Sequence, residues 1–206
     1  MADIYLASRS PRRRELLHQI GVRFETLLLR VAPRQPADVD ETQRSSETAE
    51  DYVERVARDK AMAGRRILAA RTQLFRPVLA ADTVVILDGE VLGKPTGREQ
   101  AASFLRRLSG RAHEVRTVVA LAASPTASVD PWIATSVSQV TMRHIPEDEI
   151  ERYCASNEPL DKAGGYAIQG RAAIFVGRLE GSHSGVVGLP LAETALLLLR
   201  AGVRLL

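Results

Sequence analysis

Apolar residues along this chain follow two rhythms: short β-branched runs, and stripes recurring at three- and four-residue steps. Ile4 to Ala7 is a short apolar strand. Leu16, Leu17 and Ile20 then fall on one side of a helix, with Ser10 suited to its N-cap, Pro11 to its first position and Gly21 to its end. Phe24 to Val31 predicts a second strand, and the polar stretch Ala32 to Ser46, with two prolines, a loop. Tyr52, Val53, Val56, Lys60, Ala63 and Ile67 keep helical spacing, which predicts a long helix from Thr48 to about Ala70.

Val78 to Leu87 is a β-branched run, and Asp88-Gly89 turns it back into Glu90-Val91-Leu92 as a hairpin. Thr96 with Glu99 reads as a capping box for a helix ending near Leu108, stopped by Ser109-Gly110. Strands follow over Val115–Ala123 and Ile133–Met142, then an acidic-start helix from Pro146 to Ala155. A glycine-rich segment, Asp161 to Gly170, leads into a predicted strand over Ala173–Leu179. Gly181 to Gly188 reads as a loop, and Pro190 opens a C-terminal leucine-faced helix. Strands and helices alternate but hairpins also occur, so the fold class is α/β with a mixed sheet and flanking helices.

Composition narrows the function classes. The 206 residues suit one sizeable domain or two small lobes. A net charge of +3 is too weak for a dedicated nucleic-acid surface and fits a local positive pocket for an anionic small molecule. A single cysteine, Cys154, excludes an internal disulfide and a cysteine-rich zinc site. The first residues lack a signal-peptide pattern, and the longest apolar run, Ala195 to Leu199, is too short for a bilayer; a cytoplasmic protein without a membrane partner is expected. Of 28 basic residues only Lys60, Lys94 and Lys162 are lysine. Where a genome drifts toward arginine, positions that keep lysine are candidates for needing a compact ammonium.

Three segments and one helical lysine could carry chemistry. Arg12, Arg13 and Arg14 crowd the start of the first helix, where cations oppose the helix dipole unless an anion sits there. Asp82 interrupts an otherwise apolar strand, a costly place for a carboxylate that suits a catalytic base or metal ligand better than a packing role. Glu158 to Gly170 gathers three glycines, Asp161, Lys162 and Gln169. Lys60 lies on the apolar stripe of its helix, aimed into a cleft or snorkelling out to water. Neither a Walker A loop, a dinucleotide fingerprint, a zinc-type histidine spacing nor a nucleophile elbow is present. Carboxylates, lysines and arginines remain, and any metal would be Mg²⁺ or Mn²⁺.

In order along the chain, LASRSPRRRELL (6–17), DVDET (38–42), VARDKA (56–61), AADTVVILDGEVLGKP (80–95), LSGRAHEV (108–115), EPLDKAGGYAIQG (158–170) and GLPLAET (188–194) resemble the Maf family of nucleoside triphosphate pyrophosphatases. The DKAGGYAIQG segment is similar to the subgroup acting on dTTP and UTP. The resemblance implies a twisted mixed sheet in two lobes around a long cleft, as in inosine triphosphatases, with residues 1–206 as one pyrophosphatase domain. It implies hydrolysis of a nucleoside triphosphate to the monophosphate and pyrophosphate with a divalent cation, Mg²⁺ or Mn²⁺, as a nucleotide-pool house-cleaning step. A homodimer is the family-level expectation.

Carried over by position, the resemblance makes Asp82 the proton acceptor. Ser8, Arg13, Lys60 and Lys94 become substrate-binding residues, with Lys162 a further candidate from its segment. Glu41 and Asp82 become metal ligands, and Arg12, Thr83 and Gln169 set base specificity. Two other readings stand beside this one: a pyrophosphatase for a modified nucleotide, and a nucleotide-binding regulator of cell division.

Overall fold

A computed structural model describes residues 2–30, 37–71 and 74–206. Seven strands form one mixed sheet in the order β2-β1-β3-β5-β6-β7, with β4 paired to β3. They are β1 (Ile4–Leu6), β2 (Phe24–Thr26), β3 (Val78–Leu87), β4 (Glu90–Leu92), β5 (Ala112–Ala122), β6 (Trp132–Met142) and β7 (Val176–Glu180). The helices are α1 (Pro11–Gln19), α2 (Ala49–Ala70), α3 (Arg98–Leu108), α4 (Glu147–Ala155), α5 (His183–Val187) and α6 (Leu191–Arg200). β1 is parallel to β2 and β3, whereas β3–β4 and β6–β7 are antiparallel, so the sheet is mixed as the pattern predicts. Among the described residues no helix is long and apolar enough to cross a membrane.

The chain divides into two compact units, Met1–Asp82 with Thr117–Thr135 and Gly188–Leu206, and Thr83–Arg116 with Ser136–Val187. In the first, α2 lies against β3 at close range. A Cβ on Gly64 would sit 2.7 Å from Val78 Cγ1, so only glycine allows that approach. One helical turn before Gly64 is Lys60, and four residues beyond Val78 is Asp82, so this packing sets the register between the two charged side chains. In the second unit the core gathers Val85, Leu92, Leu105, Met142, Ile150 and Phe175, all buried.

Several boundaries differ from the sequence pattern for identifiable reasons. β2 ends at Thr26 rather than Val31: Arg9 Nη2 takes the Leu29 carbonyl at 2.9 Å, and Arg30 turns to the Asp38 carboxylate, so the ladder stops. Val31 itself, and residues 32–36 of the expected loop, lie outside the described residues. The expected capping box at Thr96 does not form. Gly97 is the N-cap of α3, and the Thr96 N–H and hydroxyl both donate to Gln100 Oε1. The strand expected over Ala173–Leu179 starts only at Val176, because Arg171–Phe175 winds as a 3-10 helix. The expected loop 181–188 contains α5, whose start is closed by Gly185 N–H donating to Ser182 Oγ at 3.0 Å. Ser10 caps α1 as the sequence predicts, accepting from Arg13 N–H; Thr48, expected as the first residue of the long helix, is instead its N-cap and accepts from Asp51 N–H.

Candidate active site

In the first unit, the turn Ala7 to Ser10 leads from β1 into α1, and no acidic residue tempers the first turn of that helix. The Ser8 hydroxyl, 9% exposed, accepts from Ser10 N–H at 3.1 Å and from Arg13 Nη1 at 3.4 Å. Arg13 Nε donates to the Gly188 carbonyl at 2.8 Å. Burial pushes the Arg13 guanidinium below its usual pKa, Asp82 and Glu41 pull it back up, and Arg12 adds to the fall. A half-buried cation beside a helix N-terminus is a receptive place for phosphate oxygens. Arg12, on the same turn, is half-buried.

Lys60 Nζ lies 2.8 Å from Asp82 Oδ1 and 3.0 Å from Glu41 Oε2. The Lys60 and Asp82 side chains keep only 12% and 13% of their exposure, so this pair is sheltered, whereas the Glu41 side chain meets it from the solvent side with 43% exposed. Glu41 reaches it from an irregular segment that α2 holds by its backbone. Arg55 donates to the carbonyls of Asp40 (2.8 Å) and Thr42 (2.9 Å), and Tyr52 OH donates to that of Glu41 (2.9 Å). Three successive carbonyls are thus captured by two side chains, and Arg55 is itself paired with Glu47 at 2.6 Å. Burial, with the charges of Asp82 and Glu41, pushes the Tyr52 phenol up to about 12, so it stays a hydrogen-bond donor.

Asp82 and Glu41 offer the hard oxygens that Mg²⁺ or Mn²⁺ takes. Among the described residues no group of three or more His, Cys, Asp or Glu side chains gathers for a metal. An ion at these two carboxylates would draw its other ligands from water or from a substrate's phosphates, which is the usual habit of Mg²⁺.

The second unit holds the remaining candidates. Thr83, next to Asp82 on β3, is half-buried, and Lys94 is exposed after β4. The loop carrying Lys94 is tied to the glycine-rich segment, because Gly164 N–H donates to the Gly93 carbonyl at 3.0 Å. Lys162 Nζ is engaged locally with the Glu158 carbonyl (2.9 Å) and the Asp161 carboxylate. Gln169 is exposed at the tip of a turn closed by Gly170 N–H to the Ala167 carbonyl, while Tyr166, Ala167 and Ile168 before it are buried. Tyr166 OH meets His113 Nε2 at 2.8 Å, and burial pushes His113 down to about 4.

The structure therefore gathers Ser8 with Arg13, and Lys60 with Asp82 and Glu41, in one unit. It sets Lys94 beside the glycine-rich segment in the other. Sequence reasoning missed Tyr52 and Arg55, which carry the Glu41 segment, and the carboxylate of Glu158.

Residues 3–201 match the family model described as Maf-like protein. The chain belongs to the Maf-like protein family. Among its relatives, a dTTP/UTP pyrophosphatase of Aromatoleum aromaticum is 53% identical over 199 residues, covering 96% of this chain and 94% of the relative. A dTTP/UTP pyrophosphatase of Dechloromonas aromatica is 50% identical, covering 98% of each chain. Another, of Nitrosospira multiformis, is 53% identical, covering 98% of this chain and 96% of the relative. Among solved structures, a HAM1 protein from Coxiella burnetii superposes with a TM-score of 0.54 at 19% identity, over 97% of this chain and 100% of that one. That likeness concerns the fold, and it agrees with the architecture implied by the Maf motifs.

Proposed function

We propose that this chain hydrolyses dTTP and UTP to the monophosphate and pyrophosphate, as a cytoplasmic house-cleaning enzyme whose residues 1–206 act as one functional domain. The observation that carries the reading is the cluster of Lys60, Asp82 and Glu41 near the half-buried Arg13. Its support from relatives is that chains about half identical over nearly their whole length are dTTP/UTP pyrophosphatases.

The triphosphate carries about four negative charges near neutral pH. In this reading Arg13, Ser8, Lys60 and the start of α1 hold and offset them, with Lys94 and Lys162 contributing from their own segments. Asp82 orients a water, takes its proton and directs the oxygen to the α-phosphorus. The bond to the bridging oxygen breaks, and pyrophosphate departs with the electron pair. Glu41 and Asp82 would hold a divalent cation, which supplies charge neutralisation on the phosphates. Lys60 fixes the Asp82 carboxylate through its 2.8 Å contact.

Base choice falls to Gln169, with Arg12 and Thr83 secondary. Uracil and thymine present an N–H between two carbonyls, and a carboxamide can accept from the N–H while donating to a carbonyl. Cytosine lacks that N–H at neutral pH. The test is pyrophosphate release by the purified protein with Mg²⁺ from dTTP, UTP, dCTP and GTP. Preference for the first two is expected; binding without turnover, or equal turnover of all four, would overturn the reading.

A further inference from the structure

Glu158 belongs to no catalytic cluster, yet its carboxylate holds both a core tyrosine and the backbone just past the glycine-rich segment. Oε1 accepts from Tyr153 OH at 3.0 Å and from Arg171 N–H at 3.0 Å, and Oε2 lies 3.3 Å from the same N–H. Its backbone carbonyl accepts from Lys162 Nζ at 2.9 Å. Both ends of the glycine-rich segment are therefore fastened to one residue, with Gln169 two residues before the second fastening.

Gly170 supports this assignment. Its φ is −104°, which any residue could adopt, so conformational freedom does not explain a glycine there. Space does: a Cβ at this position would lie 2.4 Å from Glu158 Oε1. The backbone beside Gln169 is bare so that the carboxylate can reach it. Tyr153 is buried edge-on against Phe175, with ring centroids 5.5 Å apart, and so anchors the carboxylate to the core. Burial, and then the Glu158 charge, push the Tyr153 phenol upward, which keeps it a donor.

We infer that Glu158 is a specificity-positioning residue, holding the 169–171 backbone so that the Gln169 carboxamide meets the pyrimidine imide in one orientation. The inference rests on Gln169 reading the base. An exposed carboxamide on a loosely held turn would sample many orientations and discriminate weakly. A carboxamide on a clamped turn is pre-organised.

The test compares kcat/KM for dTTP, UTP, dCTP and GTP in wild type, Gln169→Ala, Glu158→Ala, Glu158→Gln and the Glu158→Ala/Gln169→Ala double variant, with thermal melts on each. Glu158→Ala should shrink the dTTP-over-dCTP preference by about five- to tenfold, and the double variant should rank substrates as Gln169→Ala does. Glu158→Gln keeps an acceptor oxygen and should stay within about twofold of wild type. Gly170→Ala, which displaces the carboxylate but keeps it, gives the same reading if Glu158→Ala does not fold. If Gln169→Ala alters the ranking but Glu158→Ala and Gly170→Ala slow all four substrates equally, the inference is overturned and the base reader stands. If Gln169→Ala leaves the ranking unchanged, the base-reading premise fails, and Glu158 loses this role with it.

Discussion

Lys60 and Asp82 stand 22 residues apart in sequence and 2.8 Å apart in space, joined across the contact of α2 with β3. The ammonium fits there because Gly64, one turn along, lets the helix sit close to the strand. An arginine at position 60 is longer and ends in a planar fork, which cannot serve both carboxylates from the same point. Lys60→Arg should therefore lose at least about tenfold in kcat/KM for dTTP with charge retained. A steady-state assay checks this, and a rate within about twofold of wild type would make position 60 a simple charge.

Arg55 controls the segment that carries Glu41. It donates to the carbonyls on either side of that residue, and its guanidinium lies 5.7 Å from the Tyr52 ring centroid. Arg55→Ala should free the segment and raise the Mg²⁺ concentration for half-maximal activity by about tenfold, in line with typical losses of supporting groups around metal ligands. Mn²⁺ binding followed by electron paramagnetic resonance should weaken in parallel. An unchanged metal requirement would separate Glu41 from the metal.

Activity should vanish in EDTA and return with Mg²⁺ or Mn²⁺, because the clustered donors are carboxylate oxygens. Full turnover in exhaustively chelated buffer would leave the cations of the protein as the whole electrostatic machinery.

His113 makes stability depend on pH. Burial lowers its pKa from 6.5 to about 4, so between these values the unfolded chain binds the extra proton and the folded chain does not. Its neutral form supports the fold fully above about pH 6.5, and that support is lost as pH falls toward 4, by on the order of 3 kcal/mol. Thermal melts from pH 7 to 4 should show a falling Tm, with a shallower fall in His113→Gln. Parallel curves would assign the acid sensitivity elsewhere.

How much of this was legible beforehand depends on what each residue contacts. β3 was readable to its boundaries because an apolar run ends at a turn-forming Asp88-Gly89, and Asp82 stood out as the one charge within it. Thr96 misled because a capping box is a local pattern, and Gln100 competed for the same hydroxyl. α5 was hidden because Ser182-His183-Ser184-Gly185 carries no apolar stripe. Tyr52, Arg55 and Glu158 were missed for a shared reason. Their partners include backbone groups of other segments, and those leave no trace in residue identity.

Asp82→Asn should keep the fold, since the amide can still accept from Lys60, and should lose about 10²–10⁴-fold in turnover. Circular dichroism and pyrophosphate release on the same sample check both parts. More than half the wild-type rate would remove Asp82 as the base.

The most direct measurement of the central claim is the hydrolysis of dTTP in ¹⁸O-enriched water, with both products read by mass spectrometry. Water activated by Asp82 and directed to the α-phosphorus places the label in dTMP and leaves the pyrophosphate unlabelled. Label in the pyrophosphate, or release of dTDP and inorganic phosphate, would mean that attack falls on a different phosphorus, and would contradict the account.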